Sequence, residues 1–427
     1  MGCAKKILIL GGLPQHCDAV IEAKSMGLYV IVVDFIENSP AKQIADKSYL
    51  CSIDDVDTII RICKKERVDG VLNLCVDPAQ MPYAKICEKL NLPCFGTIEN
   101  FRILTDKKNF KDFCKIHGVD TIQEYSIDME NFEDTLKSIE YPVMVKPVDG
   151  RGSRGQTECY CIDDVKKAIP FAKENSKTGC FIIEKLMINA DDFTVIYMVK
   201  NKKAHPILIY DRILGALEDN LNKLALYDVA PSKHIDLYYE KVNAKVCKMI
   251  EALGIENGPL FFQGFWDGET VRFYDPALRL PGGQGYRIIK EVYGVNLLKM
   301  LIHFSITGSL CEEYGSINYD CKLNGKVGII FMPILNPGKI TEISGIDNVK
   351  QLPSVIGFTQ LYFKDDSIKD VGITKQRFAF IHIVCNTKSK AVNVMKEILS
   401  ILSILDENGK EMIFSNYSIE KLLEHER

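Results

Sequence analysis

The stretch YPVMVKPVDGRGSRG, residues 141–155, decides how this chain is read. Val143 and Val145 alternate ahead of Lys146, which places that lysine near the end of a half-buried strand. A lysine in apolar surroundings is costly unless an anion meets it. Gly150, Gly152 and Gly155 let backbone approach such an anion, and Arg151, Ser153 and Arg154 supply donors. The segment reads as a cation followed by a loop that folds over phosphate. A solvated Gly/Arg loop between two strands is the competing reading of the stretch taken alone.

The bulk properties narrow the class of molecule. A chain of 427 residues is too long for one core and divides into several compact units. It is 47% apolar and 26% charged, ordinary values for a folded protein. Lys+Arg (53) nearly balance Asp+Glu (57) for a net charge of −4, so neither nucleic acid nor an anionic membrane is expected as a partner. The fifteen cysteines are odd in number and lack the spacing of a disulfide framework or a zinc site, which fits thiols in a reducing cytoplasm. Gly2 and Cys3 are followed by Lys6 where a myristoylation motif has Ser or Thr. No apolar run approaches the ~18 residues of a membrane span. A cytoplasmic protein is expected.

The first hundred residues alternate strand and helix. KKILIL (5–10), YVIVVD (29–34) and DGVLNL (69–74) are strands, separated by CDAVIEAKSMG and VDTIIRICKKERV, a rhythm that predicts a parallel sheet. Gly11, Gly12 and Asp34 carry the tight turn of a dinucleotide site without its G-x-G-x-x-G. A helix is expected from an N-cap at Thr105 to Gly118, and strands at 180–186, 193–199 and 205–211. A helix over 237–255 precedes the hairpin PLFFQGFWDGETVRFYDPALRLPGG. The last hundred residues mix β segments with the helical KAVNVMKEILSIL.

Neighbours of the opening stretch carry chemistry of their own. FIIEKL ends a strand at Glu184, with Lys185 and Leu186 next. A carboxylate or carbonyl beside a backbone N–H matches the edge of adenine. Asp192 precedes another strand and suits ribose hydroxyls. Each residue also reads as a surface charge at a strand end.

In order, TDKKNF (Lys107), VMVKPVDGRGSRG (Lys146), IIEKL, DDFTV and the hairpin resemble the ATP-grasp superfamily over roughly residues 5–310. The nearest resemblance is to biotin carboxylase, carbamoyl-phosphate synthetase halves, the purine-pathway glycinamide ligase and amino-acid ligases. The resemblance implies a multidomain α/β and α+β protein. Its parts are an N-terminal parallel βαβ domain (1–104), a two-lobed ATP-grasp domain (105–315, lid about 125–185) and a β-rich α+β C-terminal domain (316–427). It assigns Lys107, Lys146, Gly152, Ser153 and Gly155 to phosphate. Glu184, Lys185 and Leu186 fall to adenine, and Asp192 to ribose. One or two Mg²⁺ are expected with ATP, on Asp275 and, as the weaker candidate, Gln263. Arg279 is the catalytic candidate, binding an acyl phosphate or substrate carboxylate through its fork.

The hairpin departs from the family. A three-residue loop, Asp267–Glu269 with Gly268 left-handed, would set Gln263 opposite Phe273, with Gln263, Phe273 and Asp275 on one face. The family usually has a carboxylate at Gln263 and an Asn at Ala277, so this chain offers a sparse metal site. The leading expectation is an ATP-dependent ligase that activates a carboxylate for attack by an amine. Carboxyphosphate chemistry and an ATP-binding module with little turnover are the alternatives. The partners are small-molecule carboxylate and amine substrates, and a homodimer is left open.

Overall fold

The computed structural model describes residues 4–128, 130–148, 155–215, 224–369 and 374–424. Strands β1 (Lys6–Leu10), β2 (Tyr29–Asp34), β3 (Lys47–Leu50) and β4 (Gly70–Leu72) form a parallel sheet in the order β3-β2-β1-β4. Ile7 to Leu10 and Val30 to Val33 are wholly buried, because helices cover both faces of a parallel sheet and alternation disappears. At the turn after β1, the Gly12 N–H donates to the Asp34 carboxylate at 2.6 Å, so Asp34 serves the backbone.

Two helices lead out of this domain. Ile98–Thr105 starts with a capping box between Thr97 and Asn100. Lys107–Ile116 is capped by Asp106, whose carboxylate accepts from the Asn109 N–H at 2.9 Å. The expected cap, Thr105, is instead the last residue of the preceding helix, its hydroxyl donating to the Phe101 carbonyl at 2.7 Å. Aspartate one residue on takes the capping role because its carboxylate reaches the N3 amide.

A small lobe follows, built on β5 (Glu124–Tyr125), β6 (Val143–Pro147), β7 (Thr157–Cys159) and β8 (Phe181–Lys185) in the order β5-β8-β6-β7. Helices Phe132–Ser138 and Ile162–Glu174 back it. Leu136, Val143, Val145, Val165 and Ile183 form its own core, separate from the main one. A lobe with a private core can shift as a unit.

The large sheet is antiparallel, with eight strands among the described residues. β9 (Asp191–Lys200), β10 (Lys203–Gly215), β11 (Leu224–Ala230), β12 (Asn257–Trp266), β13 (Val271–Ala277) and β14 (Val327–Phe331) join Val355–Gln360 and Ala379–Cys385. The order is β13-β12-β9-β10-β11-β14, then 379–385, then 355–360. The C-terminal strands thus extend the same sheet through β11 and β14. A division at 315/316 is one of chain order, not of the sheet. The helix expected over 237–255 is two, Ile235–Lys241 and Asn243–Ala252, broken where Val242 turns to φ −118°.

The hairpin corrects the predicted register. Trp266 pairs with Val271, so the loop holds four residues, 267–270, and the Asp267 N–H donates to the Thr270 carbonyl. Gly264 then faces Phe273, a bulge skips Tyr274, and Gln263 faces Asp275 directly. Phe273 packs on Phe262, on the face opposite Gln263. One extra loop residue and one bulged residue cancel. Gln263 and Asp275 share a face after all, and Phe273 does not join them.

Candidate active site

Cross-strand partners share a face of a sheet, which lets the site be read from register. One row runs Asp275, Gln263, Thr194, Tyr210 across β13, β12, β9 and β10. The next row runs Asp192, Arg212, Asp228, Ile330, His382 across β9, β10, β11, β14 and 379–385. All but Ile330 bear polar atoms.

The lobe and the helix Lys107–Ile116 bring cations to this face. Lys146 and Glu184 are 6% and 2% exposed and form an ion pair. Lys111, one turn after Lys107, reaches the second Glu184 oxygen at 2.5 Å. Burial alone would raise the Glu184 carboxyl, but the ammonium groups of Lys146 and Lys111 hold it below its usual range. Lys107 is pushed down to about 8, by burial first and then by the charge of Lys146, against the pull of Asp275 and Glu184. Three elements distant in sequence thus converge on one electrostatic cluster.

The remaining candidates take definite places. The Lys185 N–H donates to the Gln123 carbonyl at 2.9 Å and the Leu186 N–H to the Pro142 carbonyl at 3.0 Å, so both amides are engaged. Asp192 is buried and accepts from Arg212 Nη1 at 3.2 and 3.3 Å. Burial lifts its carboxyl to about 6 against that guanidinium. Gly155 has φ +76°, where a Cβ would press on Pro147 and Asn175. Gly152 and Ser153 lie outside the described residues.

Asp275 is half-buried on β13. Burial and the Asp77 carboxylate raise it, opposed by Lys107, Arg279 and Lys146. Arg279, 6% exposed, donates through Nε to Asp77 at 2.8 Å, through Nη2 to the same carboxylate and through Nη1 to the Leu280 carbonyl at 2.8 Å. Its guanidinium also lies over Phe261, 5.0 Å from the ring centroid. No group of three His, Cys, Asp or Glu side chains among the described residues forms a metal cluster. The donors that do exist, the Asp275 carboxylate and the Gln263 amide oxygen opposite it, are hard oxygens that fit one Mg²⁺ sharing phosphate ligands.

Sequence reading missed Lys111, Asp77, Arg212, Tyr274 and Asp228. Lys111 was within reach, being four residues from Lys107 on one helix face. Arg212 lies two residues from Tyr210 on a strand, so period two could have joined them. Asp77, in a loop two hundred residues from Arg279, has no local signal.

Comparison with known proteins gives the class. A family model described as "Carbamoyl-phosphate synthase L chain, ATP binding domain" matches residues 106–264, and one described as "PylC-like, N-terminal domain" matches residues 7–83. The fold is similar to phosphoribosylglycinamide synthetase from Anaerococcus prevotii, with TM-score 0.75 and 19% identity over 95% of this chain and 100% of that one. L-amino acid ligase from Bacillus licheniformis superposes with TM-score 0.76 and 19% identity over 96% and 100%. Biotin carboxylase from Campylobacter jejuni gives 0.75 and 19% over 98% and 95%. In sequence, the formate-dependent phosphoribosylglycinamide formyltransferase of Methanocaldococcus jannaschii is 28% identical over 44% of this chain and 48% of its own length. The chain thus spans about half of that relative. Residues 106–264 thus carry an ATP-binding domain of the ATP-grasp kind. No described helix is long and apolar enough to cross a membrane.

Proposed function

We propose that this chain is an ATP-dependent ligase, forming an acyl phosphate from a carboxylate and ATP and releasing ADP and phosphate when an amine attacks. The observation that carries the reading is the mutual electrostatic influence of Lys107, Lys146 and Asp275, from a helix, the lobe and the large sheet. Cations that repel one another in a buried cleft are relieved by a polyanion.

Each residue has a task in this reading. Lys107 and Lys146 hold phosphate charge, and Glu184 keeps Lys146 and Lys111 in place. Asp275 with Gln263 would hold one magnesium ion, which supplies charge neutralisation on the phosphates. Arg279 has five N–H donors, of which three are engaged with Asp77 and Leu280, and two remain for an anionic oxygen. The lobe excludes water from an acyl phosphate that water would hydrolyse. Unbridged thiols suit a cytoplasmic setting.

The test is phosphate release from MgATP by the full chain across a panel of carboxylates, amines and bicarbonate, with products identified by mass spectrometry. Release that needs both a carboxylate and an amine, with their amide as product, is the expected result. Release with bicarbonate alone would transfer the site to carboxyphosphate chemistry. No ATP binding would overturn both.

A further inference from the structure

Gln263 stands between two polar partners on the large sheet. Asp275 is opposite it on β13, and Thr194 is opposite it on β9. Directly opposed antiparallel partners hold their Cβ atoms about 4.5–5.5 Å apart, within reach of a glutamine amide on either side. Thr194 is wholly buried, and its Oγ1 makes no hydrogen bond of normal distance and angle among the described residues. A buried hydroxyl in that state costs free energy, which points to a partner gained when the site is loaded. On its other side is Tyr210, its partner on β10, placed to take the Thr194 proton. The lone pairs of Thr194 Oγ1 are then what it offers Gln263.

An amide, unlike a carboxylate, has two different ends. Left to itself beside Asp275, Gln263 Nε2 would donate to that carboxylate, and Oε1 would turn away from it. A platform made of Asp275 and Gln263 needs the reverse, with oxygens from both turned to one cation. The amide N–H groups must then find an acceptor elsewhere in a half-buried place. Thr194 Oγ1 is the buried acceptor on that side. A glutamate at 263 would need no such partner, because its two oxygens are equivalent.

We propose that Thr194 is a positioning residue, accepting from Gln263 Nε2 and so holding Gln263 Oε1 toward the magnesium position at Asp275. This rests on the ligase reading and deepens it by naming what lets a neutral amide serve as a ligand there. Valine at 194 would fill nearly the same space and leave the amide free to swing its N–H end to Asp275.

The experiment is thermal denaturation of the full chain with ATP, titrating magnesium and reading the concentration that gives half of the magnesium-dependent rise in Tm. T194V should need about five- to tenfold more magnesium, the worth of one neutral hydrogen bond. T194S, which keeps the hydroxyl, should titrate like the wild type, and the rise given by ATP without magnesium should be the same in all three. In a Q263E background, T194V should change nothing. A T194V shift of equal size in both backgrounds would make Thr194 a packing residue, and no shift in the wild-type background would remove it from the site. If T194V does not fold, T194A in the two backgrounds makes the same comparison. If D275N leaves the magnesium titration unchanged, the platform is elsewhere, and the role of Thr194 falls while the ligase reading stands. If ATP gives no rise with or without magnesium, the ligase reading falls first and the positioning role with it.

Discussion

Lys146 and Glu184 are ion-paired inside the small lobe, and Lys111 grips the other oxygen of the same carboxylate. The acid expected to read adenine is ion-paired with two ammonium groups. Its position two residues along β8 from Ile182, the partner of Lys146, puts both side chains on one face.

Two variants separate mounting from binding. Lys146→Ala removes a charge-assisted contact worth about 1.5–3 kcal/mol, so ATP affinity should fall ten- to hundredfold by calorimetric titration. The fold should suffer little, because Glu184 keeps Lys111. Glu184→Gln leaves two ammonium groups without their carboxylate and should lower unfolding stability by about 3–5 kcal/mol. Wild-type ATP affinity in Lys146→Ala would remove that residue from the site.

Lys107 makes nucleotide binding depend on pH in a stated direction. Its ammonium group is depressed to about 8 by burial and by the charge of Lys146, and phosphate oxygens beside it will raise it. Binding near pH 8 should therefore take up protons, and ATP affinity should weaken as pH rises through 8. Titration calorimetry in buffers of different ionisation enthalpy reads the uptake directly. Lys107→Arg, which stays charged, should abolish the proton uptake. Equal uptake in wild type and variant would assign the effect elsewhere.

Much of the fold was legible because its signals are local. The wholly apolar β1 and β2, the Lys146 strand and the polar alternation in Gln263–Asp275 follow from burial and period two. What was not legible depends on partners remote in sequence. Thr105 and Asp106 are equally good caps on paper, and only the helix already ending at Thr105 decides between them. The Tyr274 bulge is set by its hydroxyl, which accepts from Arg212 at 3.2 Å, and by stacking on Phe265. The Asp77–Arg279 pair joins two domains and leaves no trace in either segment alone.

That pair gives the next prediction. Arg279→Ala removes a buried cation and the candidate anchor for the acyl phosphate, so turnover should fall at least a hundredfold while ATP still binds. Asp77→Asn keeps the guanidinium and weakens only its tether. Its carboxylate is partly exposed, so the cost should be about 1–2 kcal/mol of stability, with more than a tenth of activity retained. Urea unfolding and phosphate release together read both. Equal loss of activity in the two variants would make Arg279 a structural strut.

The sparse metal platform should respond to restored ligands. Gln263→Glu with Ala277→Asn adds one charge and one oxygen donor on the face of Asp275, since Phe261 opposite Ala277 shares that face with Gln263. Turnover or Mg-ATP affinity should rise about tenfold, roughly 1.4 kcal/mol. Asp275→Asn should remove turnover. A magnesium titration unaffected by either change would dismiss the hairpin as the metal platform.

Asp228 and Asp192 should answer substitution with opposite signs. The native Asp228 carboxyl sits at about 6, above its unfolded value of about 3.9. Between those values the native state holds a proton the unfolded chain has lost, so this group's contribution to stability falls as pH rises from about 4 to 6 and stays lost above. Asp228→Asn removes that penalty. The variant should match wild type near pH 4 and exceed it by about 1–3 kcal/mol at pH 7.5 in urea unfolding. Asp192, lifted to a similar value, differs in holding Arg212 by hydrogen bonds. Asp192→Asn should therefore destabilise, because it leaves a buried guanidinium without its carboxylate. An Asp228 variant less stable than wild type at pH 7.5 would mean that the carboxylate is already paired within the protein.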